Sequence, residues 1–251
     1  MKRVLLLGGT AEARALAGRL HGEVPGGIEV ISSLAGRVPD PALPEGQVRI
    51  GGFGGVDGLR DWLREHRVDA VIDATHPFAA TITANAAQAC LVLGLPHLVL
   101  VRAAWPPGDA IVVGSDTGAA EVVSRQGFSR VFLTTGRSGT RAFLAVDAWF
   151  LIRAVTPPDP DALPARHRVL LSRGPYRYDD EVGVMREHRI DAVVTKNSGG
   201  EMTRPKLAAA AALGIPVVMV ERPPLPLGVN TVATVEEAAA WVTAMSGSAA
   251  G

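Results

Sequence analysis

Glycine, hydroxyl and basic residues directly follow several short apolar runs of the sequence. The run Arg3–Leu7 ends in Gly8-Gly9-Thr10, and the residues after Thr10 have the apolar spacing of a helix. Glycine lets a backbone approach a ligand closely, and the N–H groups at a helix N-terminus bind phosphate. We therefore predict that Gly8, Gly9 and Thr10 hold the pyrophosphate of a dinucleotide. An ordinary strand-to-helix turn stays open, because Thr10 and Ala13 occupy the later glycine positions of the G-x-G-x-x-G pattern.

Two serine side chains and an arginine follow the next apolar run of the sequence. Ile28–Ile31 is followed by Ser32 and Ser33, and then by Arg37. NAD-specific folds usually carry an acidic residue at this position to bind the ribose 2′-hydroxyl. Hydroxyls and an arginine would instead bind a 2′-phosphate, which a carboxylate would repel. We predict that Ser32, Ser33 and Arg37 select NADPH, with a polar loop and a solvated arginine as the alternative.

A third group, Gly51–Gly55, places four glycines around Phe53. Such a loop exposes its backbone to a ligand. We predict that Gly52, Phe53 and Gly54 contact the cofactor, and a plain connector is the alternative.

Thr75 and His76 follow the apolar run Ala70–Ile72, and Pro77 suits the first turn of a helix. We expect Thr75 to lie beside the nicotinamide. Histidine exchanges a proton near neutral pH, so His76 is the candidate proton donor. A structural, hydrogen-bonding histidine is an equal alternative.

The second half of the chain carries basic and amide residues after its own apolar runs. Arginine and lysine there fit a ligand with several carboxylates, and surface bases paired with nearby acids are the alternative. The predicted substrate residues are Arg137, Arg173, Lys196, Asn197, Ser198 and Gly199.

Composition excludes several other classes of protein. Lys and Arg total 25, as do Asp and Glu, so no net charge attracts nucleic acid or an anionic membrane. The single Cys90 forms no intrachain disulfide, and the six histidines lack metal-ligand spacing. No apolar run reaches the length of a membrane span or resembles a signal peptide. We expect a cytoplasmic enzyme with no metal site and with no nucleic-acid or membrane partner.

The chain repeats itself, and the repeat predicts the fold. Residues 65–73 return at 187–195, and Leu93-Gly94-Leu95-Pro96 returns as Leu213-Gly214-Ile215-Pro216. Apolar runs typical of buried parallel strands alternate with helical segments in both copies. We predict an α/β fold of two Rossmann-like parallel-sheet modules related by internal duplication, with a ligand cleft between them. The expected domains are 1–115, which binds NADP, and 116–251, which binds substrate; strand 111–113 could join either sheet.

Together these motifs resemble the precorrin-6A reductase family of cobalamin biosynthesis, over nearly the whole chain. The resemblance rests on 5–14, Leu-Leu-Leu-Gly-Gly-Thr-Ala-Glu-Ala-Arg, and on 33–37, 51–55, 72–79, 134–137, 195–200 and 214–223. It implies an NADPH-dependent oxidoreductase that reduces one macrocycle double bond of precorrin-6A by hydride transfer. It also implies a carboxylate-rich tetrapyrrole as substrate and neighbouring enzymes of the pathway as partners. Cobalt-precorrin-6A as the natural substrate, a different NADP-dependent reductase and a non-catalytic NADP(H) sensor remain alternatives.

Overall fold

The structure is a computed structural model that describes residues 2–23, 28–36 and 43–247. Its strands are β1 (Lys2–Leu7), β2 (Ile28–Leu34), β3 (Gln47–Ile50), β4 (Ala70–Asp73), β5 (His97–Leu100), β6 (Ile111–Val113), β7 (Arg130–Leu133), β8 (Trp149–Ala154), β9 (His167–Leu171), β10 (Ala192–Lys196), β11 (Val217–Val220) and β12 (Asn230–Val232). Its α-helices are α1 (Ala11–Glu23), α2 (Gly55–Glu65), α3 (Ala80–Leu93), α4 (Asp116–Gln126), α5 (Tyr178–Glu187), α6 (Pro205–Ala212) and α7 (Val235–Gly247). Short 3-10 helices cover Thr140–Phe143 and Pro160–Ala162.

The strands form two parallel six-stranded sheets, as an α/β fold of two Rossmann-like modules requires. The first has the order β12-β5-β4-β1-β2-β3, and the second has the order β6-β11-β10-β7-β8-β9. Read from β3 inward, the first sheet follows the 3-2-1-4-5-6 order of dinucleotide-binding folds. The second sheet repeats that order from β9, which agrees with the internal duplication.

The outermost strands show where the chain crosses between the sheets: strand 111–113, which the sequence left open, joins the second sheet, and the first sheet takes its outermost strand from the C-terminal part of the chain. β6 pairs with β11 in the second sheet, and the C-terminal β12 pairs with β5 in the first. The chain accordingly divides into unit 1, residues 1–102 and 223–251, and unit 2, residues 103–222. These boundaries, at 102/103 and 222/223, differ from the predicted boundary at 115/116, because β6 pairs within the second sheet and β12 pairs within the first.

Matching helix caps follow these two outer strands. Ser115 Oγ accepts a hydrogen bond from Gly118 N at 3.0 Å, and Thr234 Oγ1 accepts one from Glu237 N at 3.1 Å. Glu237 Oε2 in turn accepts the backbone N–H of Thr234 at 3.2 Å, which completes a capping box, and it also accepts the N–H of Ala233 at 2.8 Å. These backbone hydrogen bonds lower the pKa of Glu237.

The core of unit 1 lies on both faces of its sheet. Val4 and Leu6 of β1 pack with α1 and α7, whereas Leu5 and Leu7 pack with α2 and α3. All four side chains are at most 1% exposed. Full burial of each stabilises the fold by about 1.5–3 kcal/mol, so β1 is a rigid base for the loop that follows it.

Unit 2 is built in the same way. Phe132, Leu151 and Val193 pack against α5 and α6 on one face. On the other face Phe143 and Phe150 make an edge-to-face ring contact with centroids 5.6 Å apart. The carboxyl ends of these strands are thereby held at one rim of the sheet.

Candidate functional site

The loop after β1 is fixed to both neighbouring strands. Gly8 N donates to Ser33 O at 2.9 Å, and Gly9 has a φ of +107° that favours glycine. Thr10 Oγ1 accepts from Ala13 N at 3.1 Å and donates to Ala74 O at 2.7 Å. The Thr10 hydroxyl therefore caps α1 and joins the β1 and β4 loops. The structure shows the predicted strand, loop and helix, and the binding of a pyrophosphate there stays a prediction.

A carboxylate stands in the first turn of α1, and sequence reasoning did not single it out. Glu12 Oε1 and Oε2 each accept from Arg102 Nη1 at 3.0 Å. Burial raises the pKa of Glu12, but a backbone hydrogen bond and Arg102 outweigh it, and the net pKa is lowered. The pair keeps Glu12 ionised and offsets its charge beside the predicted pyrophosphate site.

The end of β2 carries hydroxyls, as predicted. Ser32 is 1% exposed, and its Oγ has no partner among the described residues. Ser33 Oγ lies 3.4 Å from Arg49 Nη1. Arg37, the third residue predicted here, lies outside the described residues. Arg49 was missed because it lies within a strand and not after one.

The glycine loop after β3 is organised around Arg49. Its guanidinium donates from Nη1 to Gly51 O and from Nη2 to Gly52 O, both at 2.6 Å. The same group lies 3.7 Å from the centroid of the Phe53 ring. Phe53 in turn makes an edge contact with Trp62 of α2, with centroids 5.5 Å apart. Gly54, in the left-handed region at φ +79°, is the N-cap of α2.

Asp73 orients Thr75 at the end of β4. Asp73 Oδ1 accepts from Thr75 N at 2.9 Å and from Thr75 Oγ1 at 2.6 Å. Since the hydroxyl proton points at the carboxylate, the lone pairs of Thr75 Oγ1 are left to accept from a ligand N–H. His76 Nδ1 accepts from Phe78 N at 3.3 Å, so a neutral ring carries its proton on Nε2. As a general acid His76 would have to be the imidazolium, which would donate from Nε2 and whose protonated Nδ1 would lose the bond from Phe78 N.

Two predicted substrate residues of unit 2 lie exposed on loops. Arg137 follows β7, and Arg173 follows β9. Arg137 Nη1 lies 3.5 Å from Thr156 Oγ1. Both loops stand at the carboxyl ends of strands, the rim where parallel sheets bind ligands.

The remaining predicted substrate residues have structural partners within unit 2. Lys196 Nζ lies 3.4 Å from Asp116 Oδ2. Asn197 Oδ1 accepts from Trp105 N at 2.9 Å, and its Nδ2 donates to Trp105 O at 3.0 Å. Ser198 O accepts from Arg222 Nη2 at 3.2 Å. A Cβ on Gly199 would lie 2.1 Å from Ala103 O.

A buried ionic cluster lies under this rim, and we define it as Arg153, Glu181 and Lys206. Arg153 Nη1 donates to Glu181 Oε1 at 2.7 Å, and their side chains are 8% and 1% exposed. Lys206 Nζ donates to Thr203 O at 2.8 Å. Burial lowers the pKa of Lys206 to about 7; Glu181 opposes this shift and Arg153 adds to it. The Lys206 side chain is only 4% exposed.

Aromatic rings connect the cluster to the rim loops. The Arg153 guanidinium lies 4.0 Å from the Tyr176 ring centroid, and the Tyr176 hydroxyl donates to Ser172 O at 3.0 Å. Lys206 Nζ lies 4.7 Å from the Trp105 ring, whose Nε1 donates to Gly200 O at 2.9 Å. The cluster therefore supports the loop that carries Arg173 and the loop that follows Lys196.

The described residues contain no group of three His, Cys, Asp or Glu side chains that could hold a metal ion. No α-helix within the same ranges has the length and apolar character needed to span a bilayer.

Comparison with known proteins decides the family. The family model described as precorrin-6x reductase CbiJ/CobK matches residues 3–243. The chain belongs to the precorrin-6x reductase family. A relative named precorrin-6A reductase, from Mycobacterium tuberculosis, is 68% identical over 245 residues, which cover 98% of this chain and 99% of the relative. A solved structure titled CobK precorrin-6A reductase superposes with a TM-score of 0.88 at 39% identity, and covers 97% of each chain.

Family membership confirms the resemblance seen in the sequence. The precorrin-6x reductases are oxidoreductases of cobalamin biosynthesis, and the match to the solved structure covers 97% of this chain. A relative named cobalt-precorrin-6A reductase, from Methanothermobacter thermautotrophicus, is also similar, with 33% identity over 232 residues. The aligned region covers 88% of this chain and 76% of the relative.

Proposed function

We propose that this chain is a precorrin-6A reductase that uses NADPH to reduce one double bond of the macrocycle. The observation that carries the cofactor assignment is the junction of the β1 and β4 loops, made by the 2.7 Å bond from Thr10 Oγ1 to Ala74 O. β1 and β4 are neighbours at the point where the strand order reverses. Dinucleotides bind beyond this reversal in folds of the same order.

The residues at this rim fit the parts of NADPH. Gly8, Gly9 and the start of α1 would take the pyrophosphate, because backbone N–H groups and the helix dipole favour anions. Ser32, Ser33 and Arg37 would take the 2′-phosphate. Bound NADPH supplies the hydride.

The β4 loop would position the reacting end of the cofactor. Thr75 Oγ1, with its proton held by Asp73, would accept from the carboxamide N–H₂ of the nicotinamide. The reduced double bond takes a hydride at one carbon and a proton at the other. His76 would hold that proton on Nε2.

Unit 2 would bind the tetrapyrrole through its carboxylates. Arg137 and Arg173 are exposed guanidinium groups suited to bidentate pairing with carboxylates. Lys196 would contribute its charge while it stays paired with Asp116. Asn197, Ser198 and Gly199 would act through the shape of their loop, since their described contacts go to other parts of unit 2.

Metal-free precorrin-6A is favoured over its cobalt complex as substrate. The relative named for the metal-free compound is 68% identical to this chain, and the one named for the cobalt compound is 33% identical.

The experiment is to mix the purified protein with NADPH and metal-free precorrin-6A, with NADH and the cobalt complex in parallel reactions. We expect loss of the NADPH absorbance together with a shift of the macrocycle spectrum, and little reaction with NADH. Turnover of the cobalt complex alone would transfer the proposal to that substrate. Tight NADPH binding without oxidation on either macrocycle would contradict the reductase assignment.

A further inference from the structure

The carboxyl end of β3 places a second basic residue beside the hydroxyls of β2. Arg49 and Ser33 are direct partners in the parallel β2–β3 pairing. Their side chains therefore project from the same face of the sheet, and Ser33 Oγ lies 3.4 Å from Arg49 Nη1. In folds with this strand order, the end of the second strand reads the 2′-position of the adenosine ribose. Arg49 thus stands next to the position that separates NADPH from NADH.

The Arg49 guanidinium is held in one orientation before any ligand arrives. Two hydrogen bonds to Gly51 O and Gly52 O fix its plane, and the Phe53 ring supports it at 3.7 Å. A fixed guanidinium loses less conformational freedom when it binds an anion. The glycine loop therefore has a role that its composition did not indicate, which is to orient Arg49.

The charge of Arg49 is not offset by a carboxylate in the described part of the chain. No ion pair of Arg49 is found there, whereas Arg3 of the same sheet is paired with Glu29. Its described hydrogen bonds go to two carbonyls and one hydroxyl, and a guanidinium has five N–H donors in total. Donor capacity and positive charge are both left for a phosphate.

We propose that Arg49, together with Ser33, binds the 2′-phosphate and determines the preference of this enzyme for NADPH over NADH. The inference rests on the proposed function, because it assumes that unit 1 binds the dinucleotide. It extends that proposal by assigning the selection to a residue of β3 held by the glycine loop. Arg37, predicted from sequence for the same role, is the competing candidate.

The test uses two fragments that differ only at the 2′-position, adenosine 2′,5′-bisphosphate and 5′-AMP. Their dissociation constants are measured by calorimetry on the full chain as wild type, Arg49→Met, Arg37→Met and Arg64→Met. Arg64 is the control, because it is an exposed arginine of α2 in the same unit. The ratio of the two dissociation constants isolates the 2′-phosphate from general effects on the loop.

We expect wild type and Arg64→Met to bind the bisphosphate about tenfold to a hundredfold more tightly than 5′-AMP, as charged hydrogen bonds to a phosphate would give. Arg49→Met should bring the ratio close to one while 5′-AMP binding stays within about twofold. Arg49→Lys, which keeps the charge but loses the planar fork, should retain an intermediate ratio. In turnover, Arg49→Met should lose kcat/KM for NADPH and keep that for NADH.

Three results would overturn the inference. The first is a wild-type ratio that persists in Arg49→Met, the second is a ratio that disappears in Arg37→Met alone, and the third is an Arg49→Met variant that binds both fragments more weakly by the same factor. The last result would make Arg49 a support of the loop only. A wild-type protein with no preference for the bisphosphate would contradict the proposed NADPH cofactor itself, which separates the two failures.

Discussion

The buried ionic cluster of unit 2 makes stability depend on pH in a defined direction. Two cations, Arg153 and Lys206, face one carboxylate, Glu181, and all three side chains are buried. The pKa of Lys206 falls from 10.5 to about 7, mainly because burial disfavours the ammonium. The folded state therefore binds fewer protons than the unfolded state between these values. The contribution of Lys206 to the free energy of unfolding is therefore lowest below about pH 7 and rises as the pH increases towards 10.5.

The magnitude follows from the two pKa values. A single proton that titrates at about 7 in the folded state and at 10.5 in the unfolded state changes the free energy of unfolding by about 2 kcal/mol between pH 7 and pH 9. Burial raises the pKa of Cys90 to about 12 from 9.0, which lowers stability only above about pH 9. The interval from pH 7 to pH 9 therefore reports Lys206.

The perturbation is Lys206→Met, which keeps most of the length of the side chain and removes the titrating group. Arg153 and Glu181 stay paired at 2.7 Å, so the variant buries a neutral ion pair. The assay is urea unfolding of both proteins at several pH values across this interval. We expect the stability of Lys206→Met relative to wild type to fall by about 2 kcal/mol from pH 7 to pH 9, as wild type loses its buried charge.

Arg204→Met is the matched control, since Arg204 is the exposed N-cap residue of the same helix and pairs with Glu201. Its stability relative to wild type should be independent of pH over the same interval. A constant difference between wild type and Lys206→Met would refute the reasoning, because Lys206 would then titrate alike in both states.

Three further predictions concern the rims of the two units. Gly58→Ala should disrupt the start of α2, because the added Cβ would lie 1.8 Å from Phe53 O. We expect thermal unfolding to show a melting temperature several degrees lower. Gly183→Ala is the control, because the space around its Cβ is open. Arg137→Met should raise KM for the tetrapyrrole about tenfold and leave kcat nearly unchanged, whereas Arg141→Met, an exposed neighbour paired with Asp159, should change neither. An unchanged KM would remove Arg137 from the substrate site. His76→Ala should lower kcat at saturating substrate about 100-fold if His76 donates the proton, and full turnover would exclude that role.

Most of the fold could be predicted from the sequence because buried parallel strands are nearly continuous Val, Ile and Leu. Arg3–Leu7 and Val217–Val220 are examples, and both are strands of the structure. The partners of the outermost strands could not be predicted in the same way. Ile111–Val113 and Asn230–Val232 are short strands at sheet edges, and their pairing depends on the path of the whole chain.

A residue that directly follows a strand could be placed at the rim of the sheet from its position alone, whereas its role in binding stays a prediction. Gly9 and Thr75 are such residues. Residues within elements were missed, since a charged residue inside a strand or helix gives no positional signal. Arg49 in β3 and Arg153 in β8 could be identified only from their side-chain contacts in the structure. The hydrogen bond between the amide of Asn197 and the backbone of Trp105 likewise could not be inferred from the sequence.

Isotope transfer tests the central claim, reduction of the macrocycle by hydride from NADPH, most directly. The protein is incubated with precorrin-6A and NADPH deuterated at C4 of the nicotinamide, separately in each of the two stereochemical positions, and the product is examined by mass spectrometry. We predict that one of the two cofactors transfers its deuterium to a carbon of the macrocycle and that the other transfers only hydrogen. Product formed without deuterium from either cofactor would contradict direct hydride transfer and the function proposed for this chain.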